Sequence, residues 1–127
     1  MIKGNPREIY EEKIKHYKDE LKNAKKIHTV TGIVPLDKPI KTFTDNILVC
    51  GDAGSLVHPW KGEGNCFAII SGILAARTAA GAIGKNDFSK KELKKYEITW
   101  KKEFGKELWW GYHYIKLLIF LNRLKLL

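Results

Sequence analysis

Two cysteines and one methionine occur in 127 residues. Cys50 and Cys66 lie in apolar contexts and form no Cys-x-x-Cys, which argues against a zinc ribbon, a dithiol redox pair or a disulfide scaffold. Buried free thiols in a reducing cytoplasm are the expectation, and no metal site is expected. No signal peptide opens the chain, and no run of about 18 or more apolar residues occurs. Internal repeats and low-complexity segments are absent as well. Acidic residues are short, 14 against 23 Lys and Arg, for a net charge of +9. That balance admits nucleic acid or anionic lipid headgroups as partners. The basic residues spread over both ends without a nucleic-acid-binding signature, so a lysine-rich solvated surface is preferred and no nucleic acid is expected. Also missing is a Gly-x-Gly-x-x-Gly turn with an acidic residue farther on, which excludes a dinucleotide-binding βαβ unit within this chain. By length the chain is one domain with room for a core.

What is present is concentrated in residues 46–82. Ile47, Leu48, Val49 and Cys50 form an apolar run between Asn46 and Gly51, as in a strand covered on both faces. Gly51 permits a close approach of backbone or ligand. Asp52 follows at the carboxyl end of the strand, where open α/β sheets bind ligands; by itself it reads as an ordinary turn or cap aspartate. Pro59, Gly62 and Gly64 mark a loop, and Asn65 is placed to cap the helix after it. In that helix Ala68, Gly72, Ala75, Ala76 and Ala79 make a small-residue stripe. Gly72 costs about 1 kcal/mol against alanine in a helix, so close packing is its expected reason. Strand, corner, loop and helix together put a carboxylate and backbone N–H groups on one crevice.

This stretch resembles the second flavin-binding motif of the p-hydroxybenzoate hydroxylase-type flavoproteins, and more narrowly the geranylgeranyl reductase family. The matching residues are Gly51, Asp52, Ala53, Gly54, Pro59, Gly62, Glu63 and Gly64, then Ala68, Ser71, Gly72, Ala75 and Ala76. The resemblance implies FAD as cofactor, with Asp52 on the ribityl hydroxyls. It implies backbone N–H groups of Gly62, Glu63, Gly64 and Asn65 toward the pyrimidine edge of the isoalloxazine, where a helix start favours negative charge. Gly51, Ala53 and Pro59 complete the implied cofactor-binding set. The implied activity is reduction of isoprenoid C=C bonds in membrane lipids, by hydride from reduced FAD and a proton from a donor that no residue here identifies. Departures from the pattern are Gly54-Ser55, Trp60-Lys61 and Asn65.

The rest of the chain frames this centre. Residues 1–26 read as a polar helix with Ile9, Ile14, Tyr17 and Leu21 along one edge and Glu11–Lys15 and Glu12–His16 as i,i+4 pairs. Residues 26–36 read as a strand ending at Pro35, and Gly32-Ile33-Val34-Pro35 resembles a Gly-x-x-Pro segment of the same family. His58 is the most tempting reactive residue, although loop polarity without chemistry is preferred for it. Ser89 is expected to cap a helix over residues 91–107 that packs Leu93, Tyr96, Trp100 and Phe104. The tail, residues 108–127, is open to three roles: a core helix, a cap on a hydrophobic tunnel, or a lipid-handling surface at a membrane interface. A core or cap helix is preferred.

The expected fold is therefore α/β: a partial FAD/NAD(P)-binding, Rossmann-like domain of strand, Gly-Asp motif and helix, followed by a C-terminal helical segment. Three segments are expected, an N-terminal helix (1–26), the C-terminal part of an FAD-binding domain (27–86) and a helical cap (87–127). The resemblance covers residues 31–104 but only about the last third of a family member. It implies an isoprenoid lipid substrate, in a protein that is cytoplasmic or peripheral to the membrane, and three readings stay open for the chain: a gene fragment, a split-gene product that pairs with an N-terminal half encoded separately, or a degraded paralogue. The alternative is a non-catalytic relic that serves as a basic membrane-surface or protein-interaction module.

Overall fold

Asp45 and Asn46 form a two-residue turn between the antiparallel strands β1 (Phe43–Thr44) and β2 (Ile47–Leu48), with Phe43 paired to Leu48 and Thr44 to Ile47. Asn46 takes the left-handed conformation (φ 61°), which asparagine tolerates better than most residues. The same turn binds the start of a later helix: Asp45 Oδ1 accepts from Lys90 N–H at 2.6 Å, and Asn46 N–H donates to the Phe88 carbonyl at 3.0 Å. The computed structural model describes residues 5–30 and 32–124. Residues 1–4 of the expected first helix, Thr31 at the edge of the family resemblance, and residues 125–127 of the tail lie outside them.

Two compact units are distinguished, Met1–Ile33 and Val34–Leu127. In the first, α1 (Pro6–Ile14) begins at Asn5, whose side chain accepts from Arg7 N–H, with Pro6 in the first turn. A 3₁₀ turn at Lys15–Tyr17 ends it, so the helix is shorter than the one expected over residues 1–26. None of its residues is buried, and propensity alone rarely sustains a long helix in water. Glu11 pairs with Lys26 at 2.9 Å rather than with Lys15. The strand expected over residues 26–36 does not form among the described residues, and Ile27, Val30 and Ile33 are exposed. A strand needs a neighbour for its backbone groups, and among the described residues none pairs with this segment.

The second unit holds α2 (Asn65–Lys85), α3 (Lys90–Trp100) and α4 (Lys106–Arg123). Asn86 in the left-handed conformation (φ 49°) stops α2. Ser89 caps α3 through Glu92 N–H, as its position predicts. Between α3 and α4 the helix widens into a π turn at Lys101–Gly105. Leu56, Phe67, Tyr96, Trp100, Phe104 and Leu108 form the main core, with Phe43, Ala82 and Leu93 in a smaller one. The expected aromatic stripe of α3 is therefore buried. Thr42 ties it to the hairpin: its hydroxyl accepts from Trp100 Nε1 at 2.8 Å, and its own N–H and O–H donate to Glu97 Oε2.

The sheet is mixed into a mainly helical unit and has only two strands among the described residues. This corrects three expectations. Ile47–Cys50 is not covered on both faces: Ile47 is 53% exposed, and both cysteines are exposed free thiols. Gly72 meets nothing within 4 Å of the position a Cβ would take, so close packing is not its role here, whereas Ala68 in the same stripe does pack closely. Ile69, Ile70, Ile73 and Ile83 stand exposed along α2, which is long and apolar enough to cross a membrane by length and composition alone.

Tyr96, fully buried, donates its hydroxyl to the Val49 carbonyl at 2.9 Å, and burial pushes its phenol up to about 12. The folded state thus holds this proton more tightly than the unfolded chain, where tyrosine titrates near about 10. Its contribution is whole below that value and is lost as pH rises toward the folded one. In an ultraviolet titration of the five tyrosines, one is expected to ionise late, together with alkaline unfolding. Tyr96→Phe is expected to remove the late step; a late step that persists in this variant would assign it elsewhere.

Candidate functional site

The corner after β2 is held by its backbone. Gly51 is buried in the left-handed conformation (φ 60°), and its N–H donates to Ser71 Oγ at 3.0 Å. Ser71, fully buried on α2, donates its own hydroxyl to the Ala68 carbonyl at 3.2 Å. A Cβ on Gly51 would lie 3.1 Å from Ala68 Cβ. Glycine is therefore required twice over, by φ and by the nearness of the helix. Gly51–Gly54 makes a 3₁₀ turn that Ser55 closes (φ 54°), its N–H donating to the Asp52 carbonyl. Asp52 and Ala53 are left exposed on that turn.

The glycine loop comes back to the same place. A Cβ on Gly64 would lie 2.7 Å from Asp52 Oδ1, so the Asp52 carboxylate rests directly against the Gly64 backbone. Gly64, not Asn65, holds the cap position of α2, and no side chain caps that helix. Asn65 is its first residue, and exposed. Upstream, His58 N–H donates to the Glu63 carbonyl at 2.9 Å and Gly62 N–H to the His58 carbonyl at 2.8 Å, a tight reversal with Gly62 at φ 66°. Gly62 has open space around it. The Glu63 side chain turns to Cys66 Sγ at 3.5 Å, a weak contact.

Of the expected set, Gly51, Asp52 and Gly64 are brought together, Ala53 and Asn65 adjoin them in sequence, and Gly62 and Glu63 form the loop tip. Pro59 is placed differently. It is buried beneath α4, where a Cβ on Gly111 would lie 3.0 Å from Pro59 Cδ and 3.1 Å from His58 Cε1. His58 is buried as well, its Nδ1 facing Lys61 N–H at 3.3 Å and its Nε2 3.7 Å from Glu107 Oε1. These contacts seat the loop under α4 and leave His58 a packing residue with a polar edge. Gly111 was not singled out from sequence; a glycine inside a helical, aromatic-rich pattern was its one signal. Ser71 is legible in the sequence as a motif position, but its hydroxyl's hold on Gly51 N–H is not. Among the described residues no cluster of His, Cys, Asp and Glu has the makings of a metal site.

Chemically, the corner offers an exposed carboxylate, a glycine cradle that a Cβ would fill, and an uncapped helix start. That combination suits hydroxyl donors beside an electron-rich edge.

No model of a protein family matches the chain. Among curated proteins it is similar to the digeranylgeranylglycerophospholipid reductase of Methanocaldococcus jannaschii, at 40% identity over 102 residues, 80% of this chain and 26% of that protein. Digeranylgeranylglycerophospholipid reductase 1 of Methanococcoides burtonii is 39% identical over 87 residues, 68% of this chain and 21% of that protein. Among solved structures, a geranylgeranyl bacteriochlorophyll reductase-like protein of Thermoplasma acidophilum matches with a TM-score of 0.64 and 30% identity, over 80% of this chain and 28% of that one. The chain thus spans about a quarter of the length of these proteins. The mixed, mainly helical fold matches that of the reductase-like structure, and the resemblance to the geranylgeranyl reductase family is borne out.

Proposed function

We propose that this chain, which matches the geranylgeranyl reductase family over four fifths of its own length and a quarter of theirs, forms the flavin-edge portion of an FAD-dependent reductase of isoprenoid lipids. The observation that carries the reading is the Asp52 carboxylate resting against Gly64. The fit with the cofactor rests on that cradle: a side chain at position 64 would take the space beside the carboxylate. Asp52 would accept from ribityl hydroxyls, while backbone N–H groups at the start of α2 and in residues 62–64 would face the pyrimidine edge. Flavin, when bound, supplies the two-electron reduction. The residues here bind and orient it, and Gly51 with Ser71 keeps the carboxylate in register. In this reading the corner is the edge of a Rossmann-like domain, and the remainder of the fold, on the same or a separate polypeptide, lays a sheet over the exposed isoleucines of α2.

The test is the visible absorption spectrum after mixing with FAD and removing free cofactor. Flavin is expected to stay with the protein, and Asp52→Ala to weaken binding by about tenfold or more, the loss of one charge-assisted hydrogen bond. A folded chain that retains no flavin overturns the reading, provided it also retains none when the remaining part of a full-length relative is supplied as a second polypeptide. The non-catalytic alternative, a basic interaction module, is favoured in that event by the exposed apolar faces of α2 and α4.

A further inference from the structure

Lys61, Gly62 and Glu63, successive residues of the glycine loop, are all tied to His58. His58 N–H donates to the Glu63 carbonyl at 2.9 Å, and the His58 carbonyl accepts from Gly62 N–H at 2.8 Å. The ring makes the remaining tie: Nδ1 accepts from Lys61 N–H at 3.3 Å. An imidazole nitrogen accepts only while it carries no proton, so the neutral ring bears its hydrogen on Nε2. Nε2 faces the Glu107 carboxylate at 3.7 Å, within ion-pair range but too long for a direct hydrogen bond.

The ring has little room to do otherwise. His58 is 8% exposed. Pro59 follows it, which restricts the His58 backbone to extended conformations. The helix α4, packed here through Leu108 and Gly111 in the core role expected of the tail, closes over the ring. A Cβ on Gly111 would lie 3.1 Å from His58 Cε1 and 3.4 Å from Nδ1. From α2 the Phe67 ring approaches to 6.3 Å between centroids. The charged and titratable neighbours are Glu107 and Tyr114 of α4, with Lys61 and Glu63 of the loop itself. A ring wedged between α2 and α4 thus ends on a peptide N–H of the loop that leads into Gly64, where the Asp52 carboxylate rests.

Protonation alters one ring contact and spares the other. Glu107 faces an N–H at Nε2 in either state, whereas Nδ1 turns from acceptor to donor and sets a second N–H against that of Lys61. The loop tip must then give way, because the ring is held on both sides. We propose, resting on the flavin reading above, that His58 is a positioning residue for the flavin edge: its unprotonated Nδ1 holds the loop tip beside the Asp52 corner, and a proton on that nitrogen releases it. Flavin binding then weakens in acid through the loop, apart from anything that happens at Asp52.

The test joins nuclear magnetic resonance of the full chain with FAD affinity, each followed over pH. The ring nitrogen shifts of His58 are expected to place the hydrogen on Nε2. The Lys61 and Gly62 amide resonances are expected to move as the ring takes up its proton. His58→Asn keeps an acceptor near the place of Nδ1 and takes up no proton, while His58→Leu keeps bulk and removes the acceptor. FAD affinity of the parent is expected to fall by about three- to tenfold as His58 is protonated, the worth of one hydrogen bond. His58→Asn is expected to bind as the neutral parent does and to lose that step. His58→Leu is expected to bind about three- to tenfold more weakly and to lose the step as well. Hydrogen on Nδ1, or Lys61 and Gly62 amides that ignore the ring, would overturn the proposal. A pH step that persists in His58→Asn would assign it to another group, Asp52 among them, and overturn it too. Equal affinity in all three proteins would overturn it while the flavin reading stands. No flavin on any of them, with or without the remaining part of a full-length relative, would overturn the flavin reading and the positioning role together, even with the His58 tie intact in the amide spectrum.

Discussion

Trp100→Ala is expected to remove about 3–5 kcal/mol of stability, the range for truncating a large buried aromatic side chain. Trp100 is 2% exposed and joins three parts of the fold. Its ring stacks on Phe104 at 5.5 Å, and Phe104 in turn meets Phe67 of α2 at 5.1 Å. Its indole N–H ends on the Thr42 hydroxyl, the group that also donates to Glu97. Burial alone would raise the Glu97 carboxyl, but the Lys101 ammonium and the Thr42 N–H and hydroxyl hold it below the usual carboxylate range. The anion therefore stays in place to receive Thr42, which leaves the hydroxyl oxygen free for the indole. A domain of ordinary stability has about 5–15 kcal/mol in all. The alanine variant should then lie near its folding limit. Urea unfolding followed by far-ultraviolet circular dichroism measures this. Trp100→Phe, which keeps most of the ring and loses the hydrogen bond, is expected to cost distinctly less. A midpoint for Trp100→Ala equal to that of the parent would mean that the core is organised around another residue.

The parts of this fold that could be read from sequence are those whose cause is local. Leu93, Tyr96, Trp100 and Phe104 are buried because their spacing puts them on one side of a helix, and that spacing is visible without neighbours. Ser89 caps because of its chemistry and its place. Gly51, Asp52 and Gly64 come together because two glycine-permitted approaches converge, and glycine is the residue that marks such approaches. What could not be read depends on partners distant in sequence. The apolar run at residues 47–50 predicts cover on both faces, but such cover comes from elements distant in sequence, and among the described residues β2 pairs with β1 alone. The alternation at residues 26–36 fails for the same reason. Pro59 was grouped with the corner by its loop, whereas Gly111, far along the chain, draws it under α4. The π turn gave one local sign, Gly105, where a Cβ would lie 3.3 Å from Lys101 Cβ.

Gly51→Val should break the corner on which the flavin reading depends, and the loss can be divided into its causes. A β-branched residue at φ 60° is strained by about 1–3 kcal/mol whatever space is available. Its side chain would also start 3.1 Å from Ala68 Cβ, closer than ordinary van der Waals contact, against a helix already fixed by Ser71. If the corner moves to relieve either, Gly51 N–H parts from Ser71 Oγ and a buried donor loses its partner, at about 1–3 kcal/mol more, while Ser71 keeps its bond to the Ala68 carbonyl. Gly51→Ala carries a milder form of the first cost and the second in part. Ala68→Gly in the same chain removes the contact but not the strain, so the double variant should recover part of the stability lost by Gly51→Ala and not all of it. Chemical denaturation of the four proteins measures both shares. Full recovery would mean that the helix alone demands glycine there. No recovery would mean that the left-handed backbone alone does, and that α2 can give way at Ala68. In either variant, flavin retention should fall with the stability of the corner, because Asp52 follows Gly51 directly and its carboxylate rests against Gly64.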